Sequence, residues 1–516
     1  MQRDFWFEPL SPVSFLDRAA AVHGGKIAVI DGATRFTYAQ LRERCQRLAG
    51  SMRKIADGRP VAVLAPNTHV MLEAHYGVPL SGSPLLTLNI RLSAAELAWI
   101  IDHAEATVLI YDDEFAEKAT AIASTLTRPV RLVAAGGSAD EYASLLAQAE
   151  PFQDPISDEN SLISVNYTSG TTGKPKGVMY HHRGAYLQSL AMVSHMGLAS
   201  DSVMLWTLPM FHCNGWCFTW AVTAATATHV CLRSVVAEDI WQLIDQAGVT
   251  HLNCAPTVLT TIAHAPQAHR LSDGHSLLVG TGGAPPTPTV LRKMSELGID
   301  VVHLYGLTET YGPVVVSEWL KDWDGLELED QARLKARQGI ANVVAQPLRV
   351  VDAQGLDVSP DGDTVGEVAV RGNNVMAGYL KDSAATSAAA PDGWFRTGDL
   401  GVMHPDGYLE LRDRSKDIII SGGENVSSIE VENAIASHPA VLEVAVIAIP
   451  DERWGEVPAA CVTLHSGASA TDADISAHVR QQLAGFKVPK RIVFGPLPKT
   501  ATGKIQKYVL RESWNE

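Results

Sequence analysis

The chain has 516 residues, 46% hydrophobic and 19% charged, the balance of a globular enzyme with length for roughly two to four domains and a sizeable core. A net charge of −16 argues against nucleic acid as a bulk partner. MQRDFWFEPL carries acids and proline where a leader would be apolar, and the final SWNE is no peroxisomal or reticulum address. The longest uncharged run, Trp216 to Leu232, is too rich in Thr and Ala for a membrane span and reads as a buried helix and strand. A cytoplasmic protein with no membrane span is expected.

PVAVLAP (60–66) reads as a strand, TLNIRLSAAELAWIIDHAEATVLIY (87–111) as a helix followed by a strand, and residues 237–265 as helix, strand, helix. That alternation predicts βαβ units and mostly parallel sheets covered by helices. The pattern changes across the charged segment RDRSKD, with a seam at Arg412 to Lys416. Beyond it come a strand (KDIIIS), a helix (SIEVENAIASHP), a strand (VLEVAVIAIP) and a further helix (ADISAHVRQQLAGF). The expected fold is α/β: a large N-terminal domain, residues 1–413, and a small mobile α+β domain, residues 414–516. Ile475 to Arg511 holds eight basic residues and no acid, a charge suited equally to a polyanionic small molecule or to a solvated face.

Six cysteines are scattered at 45, 213, 217, 231, 254 and 461. HCNGWC (212–217) invites a zinc reading, but no second CxxC or HxxxH pair completes four ligands. Buried free thiols in a reducing compartment are expected.

YTSGTTGKPKGV (167–178) has the composition of a phosphate loop, with hydroxyls and backbone N–H groups to cradle oxygens and Lys174 and Lys176 to add charge. It is not a Walker loop, since Gly170 and Gly173 are too close together and Pro175 follows Lys174. YGLTET (305–310) sets the Thr308 hydroxyl beside the hard carboxylate of Glu309, a pair suited to phosphate and Mg²⁺. WFRTGDL (394–400) supplies Asp399 for ribose hydroxyls, RDRSKD supplies Arg414, and PKTATGKIQK supplies Lys504 in an exposed, Gly-flanked turn. Lys499 and Lys507 read as ordinary surface charges of the same segment. GTGGAPP (280–286) begins as GxGxxG but puts Pro285 at the third glycine, so it reads as a nucleotide-lining turn and not a dinucleotide fingerprint.

Together and in this order, these stretches resemble the adenylate-forming superfamily of acyl-CoA synthetases, luciferases and nonribosomal-peptide adenylation domains, over essentially the whole chain. PMFHCNGWCFTW (209–220) is similar to plant-type acyl-activating enzymes and to bacterial short- and medium-chain acyl-CoA ligases. The resemblance implies an ATP-dependent acyl-CoA ligase acting through an acyl-adenylate, with ATP, Mg²⁺ and CoA. The partners implied are a small carboxylic acid, ATP and CoA, with no nucleic acid; a homodimer is the candidate assembly.

By the same likeness Lys504 bridges carboxylate and α-phosphate. Thr308 and Thr168, Ser169, Gly170, Thr171, Thr172, Gly173 and Lys174 hold phosphates, and Glu309 takes Mg²⁺. Gly283, Ala284 and Pro285 line adenine, Tyr305 stacks on it, and Asp399 and Arg414 complete the nucleotide site. Lys416 is the hinge. Gly422, Gly423, Trp454 and Phe486 meet CoA, although both aromatics also suit a small-domain core. His212 and Trp216 border the acyl pocket, and Gly306, where acetate-specific relatives carry Trp, leaves it open to short- or medium-chain or compact aryl acids. Rival readings are loading of a carrier-protein thiol, an oxidative luciferase-like enzyme and a non-catalytic nucleotide sensor.

Overall fold

The computed structural model describes residues 7–168, 175–414, 417–421, 424–451, 453–500 and 503–514. Two large sheets build the N-terminal domain. One has seven strands, parallel from Leu162–Tyr167 through Leu85–Thr87, Val61–Leu64 and Val108–Asp112 to Arg131–Ala135. The other has nine, and its parallel centre includes Val203–Leu205, His251–Cys254, Leu277–Gly282 and Ile299–Leu307. Antiparallel strands flank one side of each parallel run, Gly177–His181 beside Leu162–Tyr167 and Gly312–Val316 beside Ile299–Leu307. The helix–strand order read at 87–111 and 237–265 is present as Ala94–Ala104 then Val108–Asp112, and as Ala237–Ala247, His251–Cys254, Pro256–Ala263.

The main core lies between the two sheets and holds Trp206, Trp220, Tyr38 and Tyr76. Helix His69–Leu80 runs through it, buried at every residue except His69, as its nearly all-apolar sequence demands. Its one acid, Glu73, is fully buried and is compensated by Arg44 and by the Tyr142 hydroxyl.

A third, four-stranded antiparallel sheet follows (Arg349–Val351, Gly366–Val370, Phe395–Met403, Leu409–Arg414), which the reading of mostly parallel sheets had not separated. The C-terminal region is a five-stranded sheet around the long hairpin Val441–Asp451/Gly455–Leu464, packed by helices Ser428–Ala436 and Asp472–Arg480. Among the described residues, no helix is long and apolar enough to cross a membrane.

Candidate active site

The site grows from the C-terminal edge of the nine-stranded sheet, where parallel α/β sheets bind ligands. Gly282 pairs with Leu304, so Gly283, Ala284 and Pro285 leave their strand beside Tyr305 of the next. Gly283 has φ +89° and faces open space. The Tyr305 hydroxyl donates to Asp399 Oδ2 at 2.7 Å, while Arg414 Nε lies 3.1 Å from Asp399 Oδ1. The antiparallel register sets Asp399 directly opposite Arg414, which fixes that ion pair. Burial, then Asp399, push the Tyr305 hydroxyl well above its usual range, so it stays a donor. Asp399 is only 4% exposed, yet its two oxygens offer about four acceptor positions, leaving capacity for ribose hydroxyls.

Thr308 and Glu309 form a tight turn at the end of Ile299–Leu307. The Tyr180 hydroxyl donates to the Thr308 carbonyl at 2.6 Å, and the Tyr379 hydroxyl to Glu309 Oε1 at 2.9 Å. Thr168 closes the base of the phosphate loop: its N–H donates to the Lys176 carbonyl at 3.0 Å, and its Oγ1 accepts from the Lys176 N–H at 3.2 Å. Lys176 Nζ stands 4.6 Å from the centre of the Tyr379 ring, so one tyrosine joins that base to Glu309. Ser169, Gly170, Thr171, Thr172, Gly173 and Lys174 lie outside the described residues. Glu309 suits a hard cation, with one carboxylate oxygen fixed by Tyr379 and the other unassigned to that bond. Mg²⁺ takes one or two carboxylates and fills its sphere with water and phosphate, so a lone glutamate fits.

The HCNGWC segment takes a backbone that its sequence did not announce. Cys213, Asn214, Gly215, Trp216 and Cys217 all have positive φ: 42°, 44°, 59°, 54° and 65°. Left-handed backbone costs non-glycine residues roughly 1–2 kcal/mol each. A buried chain of hydrogen bonds holds it. His75 Nδ1 meets the Met71 carbonyl at 2.7 Å, so Nδ1 carries the proton, and Nε2 accepts from Asn214 Nδ2 at 3.1 Å. Asn214 Oδ1 accepts from the Ser164 hydroxyl at 2.7 Å, which accepts in turn from Tyr311 at 2.9 Å. Gly215 must be glycine, because a Cβ there would lie 2.8 Å from the Trp206 ring. The turn lays Trp216 over Gly282, whose Cβ would stand 3.0 Å from the indole. No sequence signal marked this strained turn beyond Asn-Gly.

His212 opens that segment and is held neutral: burial, then the charge of Lys504, push it down to about 4. Cys213 Sγ lies 3.7 Å from Thr308 Oγ1, and burial pushes its thiol up to about 12. All six cysteines are free and buried. Gly306 needs a correction. A Cβ there would lie 2.0 Å from the Gly312 carbonyl oxygen, so its missing side chain faces the neighbouring strand's backbone and not open pocket space. The close approach comes from the register shift between Tyr305 and Gly306.

The terminal lysine turn is docked on the N-terminal domain, not exposed as expected. Arg91 donates to the Thr500 carbonyl at 3.0 Å, and Thr257 Oγ1 to the Gly503 carbonyl at 3.1 Å. Lys504 is half-buried, and its charge is felt at His212. Lys499 pairs with Glu443 at 2.7 Å and Lys507 with the half-buried Glu432 at 2.8 Å, so neither is an idle surface charge. Trp454 is 42% and Phe486 40% exposed, which removes the core reading of both. Trp454 adjoins Gly455, paired to Ser421 of the SGGEN hairpin; Phe486 precedes Lys487, which binds Glu430 just after that hairpin. Lys416, Gly422 and Gly423 lie outside the described residues.

Residues 16–380 match the family model for AMP-binding enzymes and residues 430–504 that for the AMP-binding enzyme C-terminal domain. The chain is 45% identical to a peroxisomal acetate/butyrate–CoA ligase, AAE7, of Arabidopsis thaliana, over 99% of this chain and 95% of that one. It is 46% identical to an acetate–CoA ligase, CCL3, of Humulus lupulus, with the same coverage. Among solved structures it is similar to ATP-bound MatB from Rhodopseudomonas palustris, at 28% identity and TM-score 0.86, covering 98% of this chain and 99% of that one. The motif order, the Tyr305–Asp399–Arg414 cluster and these matches agree: this chain belongs to the AMP-binding enzyme family and is an adenylate-forming enzyme.

Proposed function

We propose that the protein is an ATP-dependent acyl-CoA ligase that activates a short- or medium-chain or compact aryl acid. In the first step a carboxylate oxygen bonds to the α-phosphorus of ATP and the bond to pyrophosphate breaks. In the second the CoA thiolate bonds to the acyl carbon, the bond to AMP breaks, and the thiol proton leaves to solvent. The observation that supports the reading is the docking of Thr500 and Gly503, next to Lys504, on Arg91 and Thr257 of the N-terminal domain, with the charge of Lys504 felt at His212. A cation there offsets charge gathering on the carboxylate and α-phosphate as they react. The neutral His212 adds no competing positive charge.

Asp399 and Arg414 would hold the ribose and Glu309 would hold Mg²⁺, which when bound would neutralise phosphate charge. Trp216 walls the acyl channel, and the ligases named for acetate and butyrate among the relatives support a short acid. CoA meets the exposed Trp454 and Phe486 beside the SGGEN hairpin, after the small domain turns at Lys416. Cytoplasmic placement and a homodimer complete the proposal; the buried free thiols suit a reducing compartment, and sedimentation of the purified chain reads the assembly.

The test is pyrophosphate release over a panel of acids, with and without CoA. A short acid should give about one equivalent without CoA and continuous turnover with it. No acid-dependent release would refute the ligase reading, and release sustained only by a carrier-protein thiol would favour that acceptor.

A further inference from the structure

Two segments of the N-terminal domain grip the turn that carries Lys504, one from each large sheet. Arg91 follows strand Leu85–Thr87 of the seven-stranded sheet, and Thr257 stands in helix Pro256–Ala263, directly after strand His251–Cys254 of the nine-stranded one. Both lie beyond the carboxyl ends of parallel strands, the edge at which such sheets bind ligands. Arg91 Nη1 donates to the Thr500 carbonyl at 3.0 Å, and Thr257 Oγ1 to the Gly503 carbonyl at 3.1 Å. The two bonds join residues 409 and 246 positions apart in the chain, so each depends on how the small domain is placed.

Both sides of the grip are stiff. Lys118 Nζ donates to the Ile90 carbonyl at 2.7 Å and to the Leu92 carbonyl at 3.1 Å, which pins the backbone on either side of Arg91. The turn closes on itself: the Lys504 N–H donates to Thr500 Oγ1 at 3.0 Å, and the Thr500 N–H to the Lys504 carbonyl at 2.7 Å. Gly503 has φ +82°, and a Cβ there would collide with Thr257 Oγ1, so this close approach requires glycine. Arg91 is exposed and Thr257 half-buried, so neither side chain is a core group. A closed turn held at two points fixes where Lys504 stands, and its charge is felt at His212.

We propose that Arg91 and Thr257 are positioning residues, a two-point latch that holds the Lys504 turn in the adenylating arrangement and is released before the thioester forms. This rests on the ligase reading above. Once the small domain has turned at its hinge, the turn has left both partners, so the two bonds favour one arrangement only. A contact made in one of two states shifts the balance between them by its full worth. It also narrows the position of the cation that meets the reacting groups, where a misplacement of about 1 Å costs up to about a hundredfold in rate.

The experiment measures the two half-reactions apart in Arg91→Ala, Thr257→Val and the double variant, with acetate and butyrate and their synthetic adenylates. Each single variant should slow acyl-AMP formation, followed by pyrophosphate, by about tenfold, through kcat and with the KM for ATP within about threefold of the parent. Thioester formation from supplied acyl-AMP and CoA should equal or exceed the parental rate, which also shows that the variants are folded. Thr257→Ser keeps the hydroxyl and should stay within about threefold of the parent in both half-reactions. A second readout needs no activity: acetylation of Lys504 by acetic anhydride, mapped by mass spectrometry against the exposed Lys490, should rise about threefold or more in the double variant. Parental adenylation in the double variant, equal loss of both half-reactions, or Lys504 acetylation at the parental level overturns the latch. A parent that releases pyrophosphate with neither acid refutes the short-acid ligase reading instead, and the acetylation readout then decides the latch by itself.

Discussion

Tyr305 and Asp399, 94 residues apart in the chain, are joined by a 2.7 Å hydrogen bond from hydroxyl to carboxylate. The bond aims a buried carboxylate at the edge where the nucleotide is expected, and Arg414 balances its charge. Tyr305→Phe keeps the ring and removes the donor, so the KM for ATP should rise about 10-fold or more, the worth of one hydrogen bond to a charged group. Asp399→Asn should cost more, because it also leaves Arg414 without its partner. Equal, near-parental KM values for both variants would remove the pair from nucleotide binding.

Gly306→Ala places a methyl 2.0 Å from the Gly312 carbonyl oxygen, in backbone that must move to admit it. The expected cost is roughly 3 kcal/mol or more, read as a lower Tm or poor soluble yield. A variant of parental stability with a changed acid preference would instead return Gly306 to the pocket wall.

Burial pushes His75, His182, His212 and His303 down to about 4 and His229 to about 3, from an ordinary 6.5. The unfolded chain takes up these protons near pH 6.5 and the folded chain only near pH 4. Stability is therefore full above about pH 6.5 and is lost as pH falls from there toward 4. Between pH 7 and pH 5 the Tm should drop by about 10 °C or more. A Tm level across that interval would contradict the neutral, buried state of these imidazoles.

The chemistry was legible in the sequence because the groups proposed to meet nucleotide sit in contiguous strings: Thr308 with Glu309, Asp399 in WFRTGDL, Lys504 in TATGK. What stayed hidden depends on register and tertiary neighbours. No string reveals that Gly306 faces Gly312, since that follows from a strand-register shift. The five left-handed residues at 213–217 are stabilised by His75 and Ser164, far away in the chain. Lys507 read as a surface charge because its partner, Glu432, 75 residues away, is brought beside it only once the small domain has folded.

The central claim is that Lys504 serves adenylation and not thioester formation, and its two half-reactions can be measured apart. Lys504→Ala should slow acyl-AMP formation, followed by pyrophosphate, by about 10²–10³. Thioester formation from supplied acyl-AMP and CoA should stay within about threefold of the parent, because bond-making to sulfur no longer involves the α-phosphate charge that this cation offsets. Lys490→Ala, at an exposed lysine of the same basic segment, is the control and should change neither rate. Equal loss of both half-reactions in Lys504→Ala, or a variant indistinguishable from Lys490→Ala, would contradict the account.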